Sequence, residues 1–225
     1  MSTSGPRWLY MHGFASGPES HKGRALAAHF SGRHGVDLAR LDGRVPSFEH
    51  LRLSAIVATI RGSIGGPSDR AVVFGSSLGG LAAARAAEED ARVCALVLLA
   101  PAFRLAERWR LRLGEEAWRA WQTTGWLEVD DHAKGGTSRV DFDFVRDAEA
   151  IDARSGPWPD VRVPTLVIHG QRDDVVDPDL SRAWAAGKRH VHLVEVDDGH
   201  ELVASVPRIA AEAERFLSPF LGGGG

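Results

Sequence analysis

Cysteine is nearly missing from this chain: Cys94 stands alone among 225 residues, so no internal disulfide can form and the cysteine-rich zinc frameworks are excluded. Its apolar, strand-like setting reads as an inert core thiol. No long hydrophobic run is present. The most apolar stretch, Val93 to Ala102, is too short to cross a bilayer, and Met1 to Pro6 lacks the basic and then apolar regions of a secretory signal, so the expected compartment is the cytoplasm. A basic excess is missing as well. The formal net charge is -3 and the pI about 6.4, and although arginine far outnumbers lysine, this is not the electrostatic footprint of a nucleic-acid binder. H-E-x-x-H spacing does not occur, since His200-Glu201 has Ala204 where the second metal ligand would stand; Walker A and G-x-G-x-x-G sequences are absent too. His190 and His192, two apart, read as a solvated strand edge. No metal or organic cofactor is expected.

What remains is an ordinary globular composition, 44% apolar and 25% charged, enough to bury one sizeable core. A single domain over 1–221 is expected, with 222–225 as a flexible glycine tail. Six short apolar runs are bounded by turn residues: Arg7 to Met11, Val36 to Leu41, Ala71 to Phe74, Val93 to Ala100, Thr165 to His169 and His192 to Val196. Between them, Ser20 to His34, Phe48 to Arg61, Leu78 to Glu89, Pro178 to Ala186 and Ser205 to Leu217 carry apolar residues at helical spacing. Strands that alternate with helices build a parallel sheet of about six strands, flanked by the crossover helices.

The exception is Pro101 to Pro164, too long for a plain loop. It holds Trp109, Trp118, Trp121, Trp126 and Trp158, and is expected to form a helical cap, about 101–164, over the carboxyl ends of the strands, where open α/β sheets bind ligands. The tryptophans read first as local core and second as walls of an apolar pocket. Arg104, Arg108, Arg110 and Arg112 alternate with apolar residues, the pattern of a solvated helix face from which one arginine could reach a substrate carboxylate.

Gly75-Ser76-Ser77-Leu78-Gly79 lies between the run Ala71 to Phe74 and an alanine-rich stretch, which places G-x-S-x-G on a strand-to-helix turn. A side chain at the tip of such a turn needs small residues two positions either side. Gly75 and Gly79 meet that need around Ser77, whereas centring on Ser76 would put Phe74 and Leu78 there. Ser77 is therefore the candidate nucleophile.

A serine hydroxyl is a weak nucleophile at neutral pH; it needs a positioned base, and the base needs an orienting acid. Asp173 and its neighbour Asp174 follow the strand Thr165 to His169, while Asp177 before Pro178 fits a helix N-cap. His200 follows the last strand in Asp197-Asp198-Gly199-His200. Three strand ends thus bring Ser, Asp and His to one sheet edge in the chain order of an α/β hydrolase. Acyl transfer also needs donors for the oxyanion. The Leu78 amide, at a helix N-terminus, and the Phe14 amide, after the first strand in Tyr10-Met11-His12-Gly13-Phe14, are the candidates; His12 reads as a possible brace for that loop.

These blocks, His12-Gly13-Phe14, Gly75-Ser76-Ser77-Leu78-Gly79-Gly80, His169-Gly170-Gln171-Arg172-Asp173 and Asp198-Gly199-His200, resemble the signature blocks of the α/β-hydrolase superfamily across nearly the whole chain. Tyr10 to Pro18 and the elbow are similar to small bacterial YqiA-type esterases; the insertion and the Asp173 region resemble capped acyl-thioesterases and esterases. The resemblance implies Ser77 as nucleophile, His200 as base, Asp173 as acid, and Phe14 and Leu78 as oxyanion donors. Two departures stand out. Only six residues precede Arg7, which leaves no antiparallel hairpin ahead of the first strand and implies a trimmed parallel core. Asp177 also stands where H-G-x-x-D-x-x-V-P would have proline.

The function expected is a serine hydrolase of the carboxylesterase or thioesterase type. It would act on small ester or thioester substrates with an apolar acyl group, and lose activity on acidification because the base must be neutral to accept a proton. A ligand receptor without turnover, or a lyase or perhydrolase using the same residues, are the alternatives.

Overall fold

Alternation along each strand divides the core in two. A computed structural model of the chain describes residues 5–221; the glycine tail expected at 222–225 lies outside the described residues. On β1 (Arg7–Met11) Leu9 and Met11 face one layer while Trp8 and Tyr10 face the other, as a two-residue period requires. The same division holds on β3 (Ala71–Ser76), β4 (Val93–Leu99) and β7 (Thr165–Gly170), for example Val73, Leu96, Leu98 and Val167 against Phe74, Val97, Leu99 and Ile168. These three strands are buried along their full length.

With β2 (Leu38–Leu41) and β8 (Val191–Val196) at the edges, the order is β2-β1-β3-β4-β7-β8. Every pairing in this sheet is parallel. The helices α1 (His21–His34) and α7 (Val206–Phe216) cover the Trp8 face, the second followed by the short α8 (Ser218–Leu221). Across the sheet, α2 (Leu53–Ser63), α3 (Leu78–Glu89) and α6 (Pro178–Ala185) cover the Leu9 face. Cys94, on β4, is a buried thiol that donates to the Ala71 carbonyl at 3.2 Å, and burial pushes its pKa up.

Two sequence expectations need correction. Helix α2 starts at Leu53, not Phe48; Phe48 stays in the preceding loop because its ring packs on Phe14 (5.3 Å between centroids) and under the Arg44 guanidinium (4.2 Å). The insertion is not wholly helical. It holds α4 (Leu105–Thr124), kinked at Gly114, then an antiparallel hairpin of β5 (Trp126–Asp130) and β6 (Thr137–Asp141), then α5 (Asp143–Ser155). The hairpin escapes sequence reading because only Leu127 and Val129 alternate with polar residues on β5, too short a pattern to stand out.

Three arginines of the body fasten this insertion, each to one of its aspartates. Arg44 grips the buried Asp131 at the hairpin tip through two hydrogen bonds of 2.9 and 2.7 Å. Arg52, just before α2, grips Asp141 at the hairpin base at 2.6 and 3.0 Å, and His50 Nδ1 meets the same carboxylate at 2.6 Å. Arg85, fully buried on α3, reaches Asp152 on α5 at 2.8 Å. Planar guanidinium forks suit such paired bonds better than ammonium groups do, which gives the excess of arginine over lysine a structural use. Trp118 and Trp121 are local core: both are buried against Phe142, and the Trp121 indole N–H donates to the Val140 carbonyl at 3.1 Å.

Candidate active site

Strand β3 ends at Ser76, and Ser77 turns the chain into α3 with φ +52° and ψ -114°. A non-glycine residue holds such a conformation only where its surroundings impose it. Here the Ser77 N–H donates to the Leu99 carbonyl at 2.8 Å, and its own carbonyl accepts from the Gly80, Leu81 and Ala102 amides at 2.9, 3.1 and 3.0 Å. The flanking glycines are a matter of space: a Cβ at Gly75 would collide with the Gly79 carbonyl, and one at Gly79 with the carbonyls of Met11 and His12. Ser76, the alternative hydroxyl, is buried as the last residue of the strand.

Parallel pairing brings the carboxyl ends of the strands to one edge, with Met11 beside Gly75, Ser76 beside Leu99, and Gly170 beside Val196. His200, four residues past β8, places Nε2 3.0 Å from Ser77 Oγ and Nδ1 2.7 Å from Asp173 Oδ2. Because Nδ1–H donates to the carboxylate, Nε2 is free to accept the serine proton. Asp173 is the acid in this chain of contacts; Asp174 is exposed, and Asp177 caps α6, accepting from the Asp179 amide at 2.9 Å.

All the acceptor capacity of Asp173 is used. Oδ1 accepts from the amides of Val175 (2.9 Å) and Val176 (2.7 Å), and Oδ2 from His200 and from His169 Nε2 (3.0 Å). Burial alone would raise its pKa, but the hydrogen bonds from His169, His200 and the Val176 amide outweigh it and hold the carboxyl well below the usual carboxylate range. The carboxylate therefore stays charged beside His200.

Among the described residues neither the Phe14 amide nor the Leu78 amide donates to a protein acceptor. Gly13 lets that loop approach: a Cβ there would stand 3.2 Å from Ser77 Cβ. His12 braces the loop, donating from Nδ1 to the Gly13 carbonyl (2.8 Å) while Nε2 accepts from the Gly43 amide (2.9 Å). Burial holds the His12 pKa below its ordinary value, in keeping with this neutral tautomer. Beside these amides Phe14 packs against Phe48, Trp109 and Phe144 at centroid distances of 5.3, 5.2 and 5.8 Å. The crevice that Phe14 and Phe48 line, together with Ala15, Leu51, Ile56 and Leu78, has a volume of about 10 Å³, about the room of one water.

Two residues near the site were missed by sequence reasoning. His169 is fully buried at the end of β7, with Nδ1 2.7 Å from Ser181 Oγ and Nε2 also 2.9 Å from the Val176 carbonyl; its spacing of four from Asp173 was the available signal. Lys22, on α1, is buried and donates to the Glu201 carbonyl at 2.6 Å, tying α1 to the residue after His200. Nothing in its sequence setting marked it. His190 and His192 lie at the β8 edge, His190 bonded to the Val161 carbonyl at 2.8 Å and His192 exposed. Among the described residues no helix is long and apolar enough to cross a membrane.

The same architecture recurs in solved structures. Est1E from Butyrivibrio proteoclasticus superposes with a TM-score of 0.76 at 22% identity, covering 98% of this chain and 90% of its own. Alpha/beta hydrolase domain-containing protein 10 from mouse gives 0.75 at 16% identity over 97% and 92%, and the esterase domain of a Rhodothermus marinus protein 0.69 at 18% over 98% and 90%. At these identities the likeness establishes the α/β-hydrolase fold. No curated protein matches the sequence. Residues 7–216 match the uncharacterised protein family UPF0227, and the chain belongs to that family.

Proposed function

We propose that this protein is a serine hydrolase that cleaves carboxylic esters or thioesters through an acyl-enzyme. The observation that carries this reading is the unbroken hydrogen-bonded chain from Ser77 Oγ through His200 to a fully satisfied Asp173, with the serine on a strained elbow. Ser77 Oγ attacks the carbonyl carbon as its proton passes to His200 Nε2. Asp173 holds the imidazole tautomer and stabilises the imidazolium. The oxyanion accepts from the Phe14 and Leu78 amides, each such donor contributing about a hundred- to a thousandfold in rate. His200 then protonates the departing oxygen or sulfur, and water, activated by the same imidazole, releases the acid. No step calls for a metal or organic cofactor.

Small apolar acyl groups suit the aromatic surroundings of Phe14. The narrow crevice favours short chains, since longer ones require Phe48 to move. Est1E, which shares the fold, is known with ferulic acid bound, which supports a carboxylic acid as the acyl half.

Hydrolysis of p-nitrophenyl butanoate by the wild type and by Ser77→Ala tests the proposal. Multiple turnovers that fall at least about a thousandfold in the variant are expected. Turnover of equal speed in Ser77→Ala would refute it, and ligand binding without any turnover would favour a receptor.

A further inference from the structure

Helix α4 crosses the site with two successive residues, Arg108 and Trp109, whose side chains diverge by about 100° around the helix axis. Trp109 goes to the oxyanion side, against Phe14. Arg108 goes to the acid side, where Nη2 donates to the Val175 carbonyl at 2.7 Å; the amide of that same Val175 holds Asp173.

Arg108 differs from its neighbours on the helix. Arg104 is paired with Glu107, and Arg110 with Glu115 at 2.7 Å. No carboxylate lies within ion-pair distance of Arg108 among the described residues, and Arg112, one turn on at a spacing that brings like charges together, has no such partner either. The negative charge that acts on Arg108 is that of Asp173, whose four hydrogen bonds are already committed elsewhere. Burial, opposed by Asp173, lowers the Arg108 pKa to about 10, so the group remains a cation at neutral pH. A guanidinium has five N–H donors; one is used on Val175, while Nε and Nη1 make no hydrogen bond to described residues and are not among the buried unsatisfied atoms.

Resting on the hydrolase reading, we propose that Arg108 recognises a carboxylate on the alcohol or thiol half of the substrate. The departing half leaves toward His200, because Nε2 must hand it the proton, and Arg108 lies on the His200–Asp173 side of Ser77, away from the aromatic surroundings of the acyl half. The substrate class is thus an ester or thioester with a small apolar acyl group and an anionic leaving group. Arg108 is a specificity-determining residue and takes no part in proton transfer.

Three butanoate or butanedioate esters of phenols separate the possibilities: 4-(butanoyloxy)benzoate, its neutral methyl ester, and a phenyl hemibutanedioate that carries the charge on the acyl half. Wild type is expected to favour the first over its methyl ester by about tenfold or more in kcat/KM, mostly through KM, as a charge-assisted bond would give. Arg108→Gln is expected to remove that preference, and Arg108→Lys to restore part of it. Equal losses on both esters in Arg108→Gln would show a merely structural role; a preference for the hemibutanedioate, or none, would overturn the assignment. Binding of 4-hydroxybenzoate by calorimetry, expected to weaken about tenfold in Arg108→Gln, reads the same site without turnover. Tight binding unchanged by the substitution would refute the carboxylate site even if the protein hydrolysed nothing, while absence of ester turnover alone would count against the hydrolase reading.

Discussion

His169 and His200 meet on a single oxygen: both donate to Asp173 Oδ2, at 3.0 and 2.7 Å, from opposite roles in the fold. His200 is largely buried and faces Ser77; His169 is fully buried and locked by Ser181. Removing His169 leaves Oδ2 with His200 as its one remaining partner, so the carboxylate is held less firmly against the imidazole. Loss of a hydrogen bond to a buried charge is worth about 1.5–3 kcal/mol, so His169→Leu should lower kcat about ten- to a hundredfold with little change in KM. Steady-state kinetics checks this, and an unchanged kcat would contradict it.

The elbow strain at Ser77 predicts a divergence between two variants at that position. Ser77→Ala keeps a Cβ at φ +52°, while Ser77→Gly relieves it. The glycine variant should be more stable than the alanine one by about 1 kcal/mol, although glycine normally destabilises a folded chain. Urea denaturation of both decides, and a less stable glycine variant would show that the elbow is unstrained.

Lys22→Met should separate activity from stability. The ammonium fixes the Glu201 carbonyl next to His200, at the cost of being buried, and burial holds its pKa below the ordinary lysine value. A methionine of similar length fills the space without that cost, so stability should hold while kcat falls about tenfold from a looser His200 loop. Equal melting temperature with undiminished kcat would argue against this positioning role.

Asp131 gives the pH dependence its sign. The bonds from Arg44 outweigh burial, and with Ser138 they hold its carboxyl well below the usual carboxylate range. Its contribution is therefore present above the unfolded value of about 3.9 and lost as pH falls through the lower folded value. Asp131→Asn strands Arg44 and should cost about 3 kcal/mol near pH 7, a gap that narrows once the pH drops below about 4. A gap that stays constant with pH would contradict the ion pair.

Legibility in the sequence followed the range of the interactions. The six strands and their helices could be read because their patterns are local, and G-x-S-x-G located the elbow because its steric demand falls within five residues. Ser77, Asp173 and His200 were legible because each sits at a strand end, and parallel strands must share an edge. What stayed hidden depends on tertiary contact. The β5–β6 hairpin is held by Arg44 and Arg52 as much as by its own short alternation, Phe48 leaves its helix for an aromatic cluster, and Lys22 meets Glu201 only across a sequence separation of 179 positions. His169 falls between these cases: its histidine was visible, its partner Ser181 was not.

Labelling with a fluorophosphonate, followed by digestion and mass spectrometry, puts the nucleophile itself to the test. The expected adduct lies on the peptide that carries Ser77, and His200→Gln should slow its formation about a hundredfold or more, since the hydroxyl then loses its base. An adduct on another residue, or labelling of Ser77 at full speed without the imidazole, would contradict the proposal that His200 activates this serine.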